Sequence, residues 1–250
     1  MALIDYPSSE SEEEFQERLS PALPSFSLDI EGDRVRFLET DRTSKPDGRV
    51  RGFSHQHGNW AASLYIPATE SLTSFLHALL DNVNSILSQD KKEFLTCSDF
   101  HLSLSRTWPI LHHWIIGLEN TVRDIVFKYP RPLIRFEKAE FLVNDDGTRS
   151  FLVVCTEKSD LLINLLGDID PIVVSYRGEP YYQDQIFHFS LSWCLGDVNN
   201  AVSADWKKAC LMAVNNFLSL NSPSEGFELT NLVLKTGDKI HQFPFRNSSC

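Results

Sequence analysis

The residues best equipped for chemistry sit in two similar stretches, Phe100-His101-Leu102-Ser103-Leu104-Ser105-Arg106 and Phe187-His188-Phe189-Ser190-Leu191-Ser192-Trp193. They lie 87 residues apart and agree at five of seven positions. Side chains alternate across a β-strand. As strands, each stretch buries an apolar face (Phe100, Leu102, Leu104; Phe187, Phe189, Leu191) and offers a His-Ser-Ser row to something polar. Two imidazoles and a set of hydroxyls suit phosphoryl transfer without a metal. An RNA 2′-hydroxyl attacks its own 3′-phosphate, one histidine removes its proton, and the other protonates the departing 5′-oxygen. Histidine suits both roles because its pKa lies near neutrality. A serine two residues along the strand projects on the same side and can donate to a non-bridging phosphate oxygen, where charge builds up. One His-x-Ser alone is usually a solvated strand face. Its duplication gives the pattern weight.

The elements around these rows repeat. Trp60, Ala62, Leu64 and Ile66 alternate as in a half-buried strand that Pro67 ends. A helix follows, with Leu72, Phe75, Leu76, Leu79, Leu80, Val83, Ile86 and Leu87 on one face. After the first His-x-Ser strand, Pro109 suits the first turn of a second helix, which Tyr129-Pro130 stops. Strands near 133–143 and 151–156 flank the turn Asn144-Asp145-Asp146-Gly147. The second half echoes this order with a helix near 160–169, the second His-x-Ser strand, a helix over 201–218 and a final hairpin turning at Thr236-Gly237-Asp238. The stretch after Pro171 reads as helix or strand. Each half thus reads strand, helix, hairpin. The expected fold is α+β: two pseudo-symmetric lobes, each an antiparallel sheet with helices packed outside, around a central cleft. Residues 1–45 are acidic and rich in Ser and Pro, and read as a disordered tail, with a strand over 26–38 as an option. Residues 46–250 read as a single bilobal domain.

Composition narrows the function. The net charge of −11 argues against binding long duplexes, which favour a basic face. Residues 1–50 hold 12 Asp/Glu against 6 Lys/Arg, so over half of the net negative charge lies in this N-terminal stretch. A pocket for one or two nucleotides fits the remainder. Five scattered cysteines without a C-x-x-C pair argue against a disulfide framework and a structural zinc site, and for a reducing compartment. No apolar run approaches a membrane span, and the N-terminus lacks a secretory pattern.

The chain resembles the U6 small nuclear RNA phosphodiesterase family of the two-histidine phosphoesterase superfamily. The resemblance rests on Arg51-Gly52-Phe53, Gly58-Asn59-Trp60-Ala61, the first His-x-Ser stretch, Leu111-His112-His113-Trp114-Ile115, Tyr182-Gln183-Asp184 and Trp193-Cys194-Leu195-Gly196-Asp197 around the second. It covers about residue 49 to the C-terminus. It implies a nuclear, metal-independent 3′–5′ exoribonuclease that trims the oligouridine tail of U6 small nuclear RNA and leaves a 2′,3′-cyclic phosphate or a 3′-phosphate. It further implies His101 and His188 as the acid/base pair, Ser103 and Ser190 as phosphate-holding groups, and Tyr182 as a ring that stacks on the departing nucleoside. No cofactor is expected. The expected partner is a single-stranded, uridine-rich RNA 3′ end, with no DNA or membrane partner, and the chain is expected to be a monomer. Ser54, His57 and Ser192 depart from the family's common Pro, Arg and Ala.

Other residues read as structural. His55 and His57 lack partners for a metal site, His112 and His113 cannot share a helix face, and Trp108 and Trp193 either wall the cleft or pack in the core. Two further readings stay open: a phosphodiesterase that opens 2′,3′-cyclic RNA ends, and an RNA-end-binding protein without catalysis.

Overall fold

The computed structural model describes residues 58–89 and 92–247. The expected N-terminal tail, the optional strand at 26–38, the Arg51-Gly52-Phe53 motif, and His55 and His57 lie outside the described residues.

The strand elements, in chain order, are β1 (Asn59–Pro67), β2 (Leu95–Thr96), β3 (His101–Ser103), β4 (Trp108–Leu111), β5 (Leu133–Ile134), β6 (Phe136–Val143), β7 (Arg149–Thr156), β8 (His188–Leu195), β9 (Phe227–Glu228), β10 (Asn231–Thr236) and β11 (Lys239–Pro244). The helices are α1 (Glu70–Leu87), α2 (Ile115–Val126), α3 (Asp160–Ser175), α4 (Val198–Ala201) and α5 (Ala204–Asn221).

The amphipathic runs form as their spacing predicts. α1 buries Leu72, Leu76, Leu79, Leu80, Val83 and Leu87, and α2 buries Ile115, Leu118, Val122, Ile125 and Val126. Ser159 and Ser203 cap α3 and α5 by accepting from the amides of Leu162 and Trp206. In the β10–β11 turn Gly237 has φ +59°, and a Cβ there would overlap the Trp60 ring, so glycine is required on both counts.

Among the described residues the strands form one nine-stranded antiparallel sheet, ordered β11-β10-β1-β3-β8-β7-β6, with β2 on β8 and β4 on β1; β5 and β9 pair separately. Both expected lobes are therefore halves of one sheet, and they meet where β3 pairs with β8. The halves of the chain are not the halves of the sheet. The β6–β7 hairpin, from the first half, extends β8. The C-terminal β10–β11 hairpin returns to β1, with Leu64 opposite Leu234. The helices interlace too: α1 packs with α5, which also touches β6, while α2 packs with α3 and against β10 and β11. Ala62, Leu64, Ile66, Leu102, Leu152, Val154, Phe189 and Leu191 from four neighbouring strands join these helices in one core.

Two local expectations change. Pro109 does not open a helix; it lies in β4 opposite Ala61. Among the described residues β4 pairs only with β1, and an edge strand tolerates the missing N–H of proline. The helix begins later, through a 3-10 turn at His112–Trp114. The stretch after Pro171 is helix, because α3 runs through it to Ser175. Both Pro171 and Gly167, whose carbonyl loses its partner, are exposed, so water can satisfy it while Leu166, Ile169 and Val173 hold the buried face.

Candidate active site

Leu102 and Phe189 are antiparallel partners at the centre of the sheet, and both are fully buried. Continuing that register one residue each way sets His101 opposite Ser190 and Ser103 opposite His188. Partners across a ladder share a face. The two His-x-Ser strands thus cross head to tail and form a four-cornered cluster in which each histidine faces the other strand's serine. His101 is exposed, and Ser103, His188 and Ser190 are half-buried.

Each imidazole is held the same way. His101 Nδ1 lies 2.7 Å from the Asp99 carbonyl oxygen, and His188 Nδ1 lies 2.8 Å from the Ile186 carbonyl oxygen. A carbonyl only accepts, so Nδ1 carries the proton in both rings and donates it. Nε2 is then the nitrogen left to take or give a proton. Both bonds reach the residue two positions back, so the backbone ahead of each strand sets the tautomer.

The surroundings differ. His188 sits opposite Cys155 on β7. Burial lowers its pKa below the usual 6.5, the bond to Ile186 opposes that shift, and the charge of His101 adds to it. The two rings are therefore close enough to sense one another. His188 is neutral at pH 7, the state of a proton acceptor. The neighbouring Cys155 thiol is pushed up to about 12, by burial first and by Glu140 second, so it stays protonated. His101 instead packs on Tyr65, with ring centroids 4.9 Å apart.

Tyr65, opposite Ser103, is a site residue that sequence reasoning missed. A signal existed: Ala62, Leu64 and Ile66 mark the buried face of β1, which leaves Tyr65 on the face shared with the histidines.

The His-Ser-Ser rows are shorter than expected. Ser105 is buried, and its hydroxyl accepts from the Leu64 amide at 2.8 Å. Ser192 is fully buried, and its hydroxyl has no hydrogen-bond partner among the described residues. The β7–β8 register slips by one residue there: Leu152 faces Ser192, Val153 faces Ser190, and Leu191 is the extra residue. A bulge of this kind turns the next side chain to the other face. Ser192 consequently lies beside Leu152, on the core side.

Tyr182 lies in the loop before β8 and is 41% exposed. Its ring meets Tyr181 edge-on at 5.4 Å, and the Arg106 guanidinium lies over it at 4.0 Å. Trp108 is core, whereas Trp193 is half-buried. His112 contacts Trp60, His113 contacts Trp114, His77 contacts Phe100, and His241 pairs with Glu119, so these four serve packing. Among the described residues no group of three or more His, Cys, Asp or Glu is placed to hold a metal ion.

Comparison with known proteins agrees with this geometry. A family model named HVSL, described as "Uncharacterised conserved protein", matches residues 21–244. U6 snRNA phosphodiesterase 1 of Xenopus laevis is 30% identical over 258 residues, covering 98% of this chain and 99% of that protein. The Bos taurus protein of the same name is 30% identical over 212 residues, covering 82% of this chain and 77% of its own length. The structure of Kluyveromyces marxianus Usb1 with uridine monophosphate shares the fold, with a TM-score of 0.50 at 15% identity, and covers 75% of this chain and 97% of that one. Near-complete coverage at that identity, together with the paired His-x-Ser strands, places the chain in the U6 snRNA phosphodiesterase family.

Proposed function

We propose that the chain is a metal-independent 3′–5′ RNA exonuclease that trims the oligouridine tail of U6 small nuclear RNA in the nucleus. The observation that carries this reading is the head-to-tail pairing of the two His-x-Ser strands, with both Nδ1–H groups tied to backbone carbonyls. The names of the relatives supply the RNA, and the uridine monophosphate of the Usb1 structure supports uridine.

Four side chains surround one phosphate. His188, neutral at pH 7, takes the proton of the 2′-hydroxyl on Nε2 as that oxygen bonds to phosphorus. The bond from phosphorus to the 5′-oxygen breaks, and His101, protonated on Nε2, gives its proton to the leaving oxygen. The RNA ends in a 2′,3′-cyclic phosphate, and the two histidines have exchanged protonation states. Water activated by the reverse exchange opens the ring to a phosphomonoester. Ser103 and Ser190 donate to the non-bridging oxygens, which gain charge in the transition state. Tyr182 stacks on the departing nucleoside; such stacking is worth ~1–3 kcal/mol per base and tolerates several bases.

The test is oligouridine with purified protein in EDTA. Shortening from the 3′ end is expected in wild type and is lost in His101→Ala and His188→Ala. Trimming that needs added metal, or that survives both substitutions, contradicts the proposal. Mass analysis of the shortened ends separates the cyclic phosphate from the 3′-phosphate.

A further inference from the structure

Arg106 comes three residues after Ser103, where the first His-x-Ser strand leaves the sheet. Its side chain draws three separate parts of the chain together. Nη1 bonds the Asp145 carboxylate in the β6–β7 turn and lies 3.1 Å from Glu179 in the loop ahead of β8. The guanidinium lies 4.0 Å from the centre of the Tyr182 ring. Only 28% of the Arg106 side chain is exposed. Tyr182 is boxed in a second direction by Tyr181, which is buried, donates its amide N–H to the Asp170 carboxylate, and donates its hydroxyl to the Ile186 carbonyl. Ile186 is also the residue whose carbonyl orients His188.

We propose that Arg106 is a positioning residue that presets Tyr182 for the nucleoside. This rests on the stacking role proposed above for Tyr182 and goes beyond it. Asp145 and Glu179 hold the guanidinium over one face of the ring. Tyr181 fixes the ring's edge. One face of Tyr182 then stays open, in one orientation, before any RNA arrives. A planar cation against a ring is attractive in itself. Its larger consequence is that a nucleoside meets a ring already ordered, so the cost of fixing that side chain falls outside the binding step. The residue type matters: lysine keeps the charge for Asp145 and Glu179 but offers no flat surface to the ring.

A double-mutant cycle on binding tests this. The probe is a short oligouridine whose penultimate sugar is 2′-deoxy, so that it binds without reacting by the proposed route. The expected result is that Arg106→Ala weakens binding by about 5–10-fold, Tyr182→Ala weakens it by about 10-fold, and the double variant is no weaker than Tyr182→Ala. Tyr182→Phe, which keeps the ring, retains the full sensitivity to Arg106→Ala, and Arg106→Lys recovers only part of the loss. In trimming of all-ribose oligouridine, Arg106→Ala raises KM and leaves kcat within about threefold, which also shows that the variant is folded. Losses that multiply in the double variant overturn the proposal, as does an Arg106→Ala variant that binds like wild type or loses kcat at unchanged KM. If Tyr182→Ala binds like wild type, the stacking role fails together with this inference. The trimming reaction itself stands or falls separately, on whether wild type shortens RNA in EDTA.

Discussion

The two His-x-Ser strands share five of seven residues and occupy different environments. β3 is three residues long, and its histidine is exposed beside Tyr65. β8 is eight residues long and holds its histidine half-buried opposite Cys155. The same pattern gives the same tautomer in both strands, because each ring uses the carbonyl two residues back. It does not give the same burial, and burial lowers the pKa of His188. Pattern sets which groups share the face of the cluster, and surroundings set how deeply each histidine is buried.

The largest expected effect breaks the symmetry directly. Replacing either histidine with alanine lowers trimming by about 10²–10⁴-fold on all-ribose RNA. A uridine 3′-phosphodiester with a nitrophenyl leaving group needs little help from an acid. On that substrate His101→Ala recovers most of its rate and His188→Ala does not. Equal recovery by both, read as nitrophenol release, contradicts the division of roles.

Next come the serines that face the cluster. Ser103→Ala and Ser190→Ala each lower kcat by up to about 10²-fold with little change in KM, if their hydroxyls act on charge that develops in the transition state. Steady-state kinetics on oligouridine read this, and a pure KM effect would assign them to ground-state binding.

The third serines sharpen the comparison through stability. Ser105 and Ser192 occupy equivalent places in the two stretches, but Ser105 accepts from the Leu64 amide and Ser192 has no partner among the described residues. Ser105→Ala strands a buried N–H and costs about 1–3 kcal/mol in urea unfolding, whereas Ser192→Ala is neutral or stabilising. Neither belongs to the four-residue cluster proposed to hold the phosphate, so each folded variant keeps the wild-type rate.

The smallest effect is in pH dependence. His188 has a lowered pKa when folded, so as pH falls through 6.5 the unfolded chain takes up a proton that the folded chain resists. Stability therefore falls on acidification across that window, and His188→Gln flattens the slope. For the same reason the acidic limb of kcat/KM, if it reports the base, lies below 6.5. A limb above that value would move the base role to another group.

Much of this was legible in the sequence because it depends on alternation and local spacing. Leu102 and Phe189 face the core, His101, Ser103, His188 and Ser190 face away, and the motifs around them point to the family. What stayed hidden depends on pairing between distant residues. Alternation within each hairpin is plain, but nothing local says that β10–β11 joins β1 while β6–β7 joins β8. The register slip at Leu191 removes Ser192 from its row, and no residue type announces it. Pro109 fits a helix start as well as an edge strand, and only the contact with Ala61 decides. Tyr65 was readable from the face of β1, whereas the placing of Arg106 over Tyr182 joins residues 76 positions apart.

The central claim is that the 2′-hydroxyl is the nucleophile and that no metal takes part. Its most direct test places two oligouridines side by side in EDTA, one all-ribose and one with 2′-deoxyribose at the residue before the cleaved bond. The account predicts that the first is shortened, with a 2′,3′-cyclic phosphate on the early product, and that the second stops at the modified sugar. Equal shortening of both would contradict it.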